Sequence, residues 1–151
     1  MAKVLGMGNA LVDVLAIIED DKTLNRLNLP KGSMQLIDNN QFETISNEIH
    51  KLNPDIVSGG SASNTIVGLA RLGVDAGFLG RIGKDSFGEH FKSDLAKYNV
   101  KSHLTEVDEV SGVASTFISK DGERTFGTYL GAAALLNAGE LNSDDFDGYD
   151  Y

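Results

Sequence analysis

Residues 55–64 read DIVSGGSASN, a short apolar run that ends in two glycines and leads at once into a helix opening. The run DIVSGG has the length and character of a buried strand. The residues from about Ala62 to Leu72 read as a helix, and Gly73 is placed to close it in the left-handed conformation. A strand that turns on glycines directly into a helix is the building step of an α/β sheet.

The same step repeats on both sides. Upstream, KVLGMG reads as a strand ending in glycines, and VDVLAII and SMQLI read as further strands, the second following the Pro30-Lys31-Gly32 turn. Asp38 and Gln41 form a capping-box pair ahead of Phe42, Ile45, Ile49 and Leu52, the apolar face of a helix that ends near Asn53-Pro54. Downstream, AGFLGRIG is a strand, and Asp85 caps a helix whose Phe87, Phe91, Leu95 and Tyr98 share one face. Strand and helix alternate, which predicts a parallel sheet with covering helices. VASTFISK-DG-ERTFGTY then breaks the pattern, because Asp121-Gly122 is a strong hairpin turn. The hairpin predicts a small side sheet with strands at about 11–18, 33–37, 113–119 and 123–129. The ending LNSDDFDGYDY stops where another buried strand is expected, so residues 1–151 read as an N-terminal piece of a longer protein.

Composition narrows the function classes. The 151 residues are 41% apolar and 23% charged, as in ordinary globular chains. No run approaches the roughly 18 apolar residues of a membrane span, and the N-terminus lacks a secretory signal pattern. The chain has no Cys, which removes disulfides and thiolate chemistry and fits the cytoplasm. A net charge of -9, with Arg26, Arg71, Arg81 and Arg124 scattered, argues against nucleic acid and anionic membrane as partners. The 17 Gly instead point to tight turns and close backbone approach to a ligand.

Three glycine segments are candidates for chemistry. GMGNALVD at 6–13 begins like a dinucleotide fingerprint, but Leu11 stands at the third glycine position and a strand follows, so the Rossmann reading ranks last and would need loss of NAD binding on changing Gly8 to revive it. Asp13 is the only charge between Lys3 and Glu19, a position that costs energy unless solvent or a partner satisfies the carboxylate. Two adjacent sugar hydroxyls are such a partner. In SGGSASN at 58–64, Gly59 and Gly60 bare the backbone to a polar ligand and Asn64 offers donor and acceptors, while helix capping by Asn64, Ser61 or Ser63 stays equally open. It is no P-loop, lacking the Lys-Ser/Thr ending. GRIGKDSFG at 80–88 is explained as a strand-to-helix turn. His50, His90 and His103 show no metal spacing and read as surface residues; Asn40–Glu43 lies within a helix and Asn137–Glu140 in a loop.

Taken in order, Asn9 and Asp13 in GNALVD, GGSASN at 59–64, Gly73, Gly83, GRIGKDSFG and GERTFGTYLGAA resemble the ribokinase-like (PfkB) family of carbohydrate and nucleoside kinases. NALVD, GGSASN and RTFGTYLGAA look most like its adenosine-kinase branch, whose bacterial look-alikes include generic sugar kinases. The resemblance implies an α/β, ribokinase-like fold: a partial parallel sheet with flanking helices and a small β-sheet lid. It implies a cytoplasmic enzyme transferring the γ-phosphoryl group of ATP, with Mg, to the hydroxymethyl group of a sugar or nucleoside. Asp13 would hold two sugar hydroxyls, and Asn9, Asn64 and the backbone of Gly59 and Gly60 would fix the rest. Met34, Ala114, Thr116 and Leu130 would form the lid's apolar contact.

The family's Gly-Ala-Gly-Asp segment, which carries the catalytic base and an anion hole, does not occur in these residues, nor does its Asn-x-x-Glu motif in its proper place. No catalytic base is therefore expected before Tyr151, and the fragment alone is expected to be inactive. Two other readings remain at this stage: a non-catalytic sugar- or nucleoside-binding module, and a homodimer formed through the uncovered face of the lid. The sequence does not choose between adenosine, another nucleoside and a simple sugar.

Overall fold

The computed structural model describes residues 2–151. The chain divides into two compact units, one comprising the residues up to Val12 with Ser58–Gly112 and Gly131–Tyr151, the other Asp13–Val57 with Val113–Leu130.

The first unit is built on a parallel sheet of β1 (Lys3–Met7), β5 (Asp75–Gly83) and β6 (Lys101–Val107), in the order β1-β5-β6. Helices α3 (Ser61–Arg71) and α4 (Ser86–Lys97) pack on it, and their apolar faces meet Ala10, Val12, Ala76, Phe78, Ile82 and Val100 in one core with Ile66, Phe91 and Leu95. Phe78 and Phe91 tilt against each other with ring centroids 5.6 Å apart. Fully burying each such side chain stabilises the fold by about 1.5–3 kcal/mol. Asp85 caps α4 and Gly73 takes φ +89 beyond α3, both as their positions in the sequence predict. At the free side of β1, Leu5 N–H donates to Tyr151 O at 2.8 Å and Tyr151 N–H to Lys3 O at 3.3 Å, the exchange of a parallel pair centred on Val4.

The second unit holds a five-stranded sheet in the order β3-β8-β7-β2-β4: β3 (Met34–Leu36), β8 (Arg124–Tyr129), β7 (Gly112–Ile118), β2 (Leu11–Ile17) and β4 (Asp55–Gly59). Helix α2 (Asn39–His50) starts in a complete capping box of Asp38 and Gln41 and buries Phe42, Ile45 and Ile49. Phe42 stacks on Tyr129 at 4.7 Å, and a Cβ on Gly127 would stand 3.0 Å from Ile45 Cδ1, so the absent side chain lets α2 close on the sheet.

Three expectations are corrected. DIVSGG is not a buried strand of the parallel sheet: β4 is the edge strand of the five-stranded sheet, and Asp55, Ile56 and Val57 are exposed. Helix α1 (Lys22–Arg26) and strand β6 were not expected, because five residues show no helical period and KSHLTEV does not alternate cleanly between polar and apolar. His90 and His103 are half-buried rather than surface residues, and His103 Nε2 lies 2.7 Å from Tyr149 Oη.

Candidate functional site

In the first unit, the glycine turn after β4 and the turn after β1 are locked together. Gly60 takes φ +89, and a Cβ there would stand 2.6 Å from the carbonyl oxygen of Asn9. A Cβ on Gly8 would stand 2.9 Å from that of Ala62. Both turns therefore need bare backbone to approach this closely. The structure thus brings Asn9 and Gly60 into contact, with Gly59 buried beside them. Asn64 N–H donates to Gly60 O at 2.9 Å as the first turn of α3 forms, and the Asn64 side chain is on an exposed face. No side chain caps this helix. The capping role that the sequence left open for Asn64, Ser61 and Ser63 is thus not taken.

In the second unit, register defines one face of the sheet. Met34 stands opposite Phe126, which stands opposite Thr116, and Leu36 opposite Thr128, which stands opposite Ala114. Opposed residues share a face, so Met34, Ala114 and Thr116 lie together, with Leu36, Phe126 and Thr128 between and beside them. Met34 is 60% exposed, whereas Ala114 and Thr116 are buried. Leu130 follows two residues after Thr128 and is half-buried. The other face, through Gly127, receives α2. Phe126 and Thr128 were missed by sequence reasoning; the period of two along the hairpin, counted across from Ala114 and Thr116, would have found them.

Asp13 sits on β2, half-buried between buried Val12 and Val14. Burial pushes its carboxyl above the usual range, and the cation of Arg124, which the sequence shows only as one of four scattered arginines, offsets part of that rise. Such a carboxylate can accept hydrogen bonds from two neighbouring hydroxyls, which restores the solvation that burial removes. Among the described residues, no three His, Asp or Glu side chains gather as a metal-binding group, and no helix is long and apolar enough to cross a membrane.

Known proteins resemble this chain in sequence and in fold. Residues 32–148 match the sequence profile described as pfkB family carbohydrate kinase. Adenosine kinase 2 of Arabidopsis thaliana is 27% identical over 144 residues, which are 93% of this chain and 41% of that protein. A fructokinase of Klebsiella pneumoniae is 40% identical over 70 residues, 45% of this chain and 23% of that one. The crystal structure of adenosine kinase from Sinorhizobium meliloti superposes with a TM-score of 0.81 at 33% identity, covering 95% of this chain and 44% of its own. The chain spans less than half the length of these relatives.

Proposed function

Since the chain belongs to the pfkB family of carbohydrate kinases, with a ribokinase-like α/β fold, we propose that it is the acceptor-binding part of a cytoplasmic kinase that phosphorylates a sugar or nucleoside hydroxymethyl group. The observation that carries this reading is Asp13, a half-buried carboxylate made harder to ionise by burial, on the strand that follows the turn at residues 8–10. Asp13 binds two acceptor hydroxyls; Asn9, Asn64 and the backbone of Gly59 and Gly60 hold the remaining polar groups. Met34, Ala114, Thr116 and Leu130 give the lid sheet its apolar contact. Relatives named adenosine kinase and fructokinase support both acceptor classes. ATP and Mg are the co-substrates this reading requires. The part of these residues is to bind and orient the acceptor. Alone they are inactive, since phosphoryl transfer needs a base and charge stabilisation at the phosphates. A second copy docking on the exposed lid residues Met34 and Leu36 is a compatible reading.

The test is ATP consumption by the whole protein with Mg and adenosine, inosine, ribose or fructose in turn. Turnover of adenosine alone supports the nucleoside branch. Turnover of a plain sugar keeps the kinase and removes the nucleoside. Tight acceptor binding without any ATP consumption overturns the kinase reading in favour of a binding module.

A further inference from the structure

The chain passes through the second unit twice, over Asp13–Val57 and over Val113–Leu130; the second passage enters between Gly112 and Val113 and leaves between Leu130 and Gly131. Both crossings are fastened at one point of the first unit. Ser111 is buried, with 1% of its surface exposed. Its Oγ accepts the Gly83 N–H and donates to Asp85 Oδ1, each at 2.8 Å, while its own N–H donates to Asp85 Oδ2 at 2.8 Å. Asp85 Oδ1 also accepts the Gly88 N–H at 2.8 Å. One residue earlier, Val110 O accepts the N–H of the buried Ala132 at 2.7 Å, so the chain returning past Gly131 is tied to the same point.

Glycines keep this knot closed. A Cβ on Gly83 would overlap the Glu109 carbonyl oxygen and stand 2.7 Å from both Asp85 Oδ2 and Ser111 N; a Cβ on Gly88 would overlap the Gly83 carbonyl oxygen. A helix cap needs only the bond to Gly88. The two additional bonds from Ser111 go beyond capping, and hydrogen bonds to a charged group are the stronger kind. What they hold is the root of β7, three and five residues ahead of Ala114 and Thr116, and, through Val110 and Ala132, the segment two residues beyond Leu130.

We propose that Asp85 and Ser111 are positioning residues for acceptor binding, fixing from a single anchored point both the root of β7 and the chain that follows Leu130. This rests on the kinase reading above for its consequence, but not for its geometry. Two measurements separate the parts. In this chain, Ser111→Ala speeds amide exchange at Gly83 and Ala132 about tenfold, while Phe78 and Leu79 in the sheet stay as they were. In the whole enzyme, the same variant raises the acceptor KM about tenfold and changes kcat less than about twofold, and Ser111→Thr, which keeps the hydroxyl, restores most of the affinity. Asp85→Asn gives a larger effect in the same direction if it folds; Ser111→Ala decides the matter if it does not. Unchanged exchange at Ala132 overturns the anchor. Faster exchange with an unchanged KM overturns the positioning role. A wild-type enzyme that consumes no ATP overturns the kinase reading and the acceptor consequence with it, whereas the exchange result still decides the anchor.

Discussion

The carbonyl oxygen of Asn9 lies 2.6 Å from where a Cβ on Gly60 would stand, so the turn after β1 and the turn before α3 fit only with glycine between them. This contact joins two sequence segments about fifty residues apart, and it places both beside the uncapped start of α3. Gly60→Ala meets the steric cost of φ +89 as well as a backbone oxygen that cannot turn aside. The expected loss is roughly 2–4 kcal/mol of unfolding free energy. Urea denaturation measures it, and a variant with an unchanged midpoint contradicts the packing described.

Asp13 carries a different kind of prediction, because stability and binding should move apart. Burial raises its folded pKa above that of the unfolded chain, with Arg124 opposing, so its charge weakens the fold at neutral pH. That weakening disappears as pH falls through the raised folded pKa. Asp13→Asn should therefore fold at least as stably as the wild type at neutral pH. The whole protein carrying it should bind acceptor at least about a hundredfold more weakly, through loss of two charged hydrogen bonds. Thermal unfolding and calorimetric titration with acceptor check the two halves.

Asp85 has the opposite pH behaviour. Burial alone would raise its carboxyl, but donors from the Ser111 N–H, the Gly88 N–H and the Ser111 hydroxyl outweigh burial and hold it below the ordinary range. The folded state then binds the Asp85 proton more weakly than the unfolded chain. Its contribution is complete above the unfolded pKa of about 4 and is lost as pH falls through the lower folded value. The stability gap between wild type and Asp85→Asn should be wide near pH 6 and narrow below about pH 4. A gap that stays constant over that range contradicts the network.

Gly6 and Ile66 provide a packing test inside the first unit. A Cβ on Gly6 would overlap Ile66 Cγ1 and stand 2.8 Å from its Cδ1, so β1 touches α3 through a missing side chain. Gly6→Ala should cost about 1–3 kcal/mol and Ile66→Ala about 2–5 kcal/mol. The pair together should cost less than the sum by about 1 kcal/mol or more, since the truncated Ile66 makes room. Strict additivity in a double-mutant cycle would remove this contact from the account.

Much of this was legible where local chemistry is strong. Asp38 with Gln41, Asp85, Gly73 and Asp121-Gly122 each mark a boundary by a mechanism that acts within a few residues, and the elements begin or end there. The strand DIVSG was misassigned because its apolar residues suggest burial, while its actual place is an edge whose Ile56 and Val57 are 41% and 45% exposed. Which sheet a strand joins is settled by pairing across the chain, and single-strand composition does not carry that information. Gly59, Gly60 and Asp13 stood out as candidates because glycine pairs and lone carboxylates in apolar runs are unusual. Ser111 did not, since a serine in a loop has no motif and its partner Asp85 lies 26 residues away. Phe126 and Thr128 became visible only through the β7–β8 register.

The most direct test of the account compares kcat/KM for the preferred acceptor in the whole protein, wild type against Asp13→Asn, with ATP and Mg saturating and folding checked by thermal unfolding. The account predicts ATP-dependent phosphorylation by the wild type and a fall of at least about a hundredfold in a variant that is no less stable. Equal kcat/KM in the two proteins would contradict it.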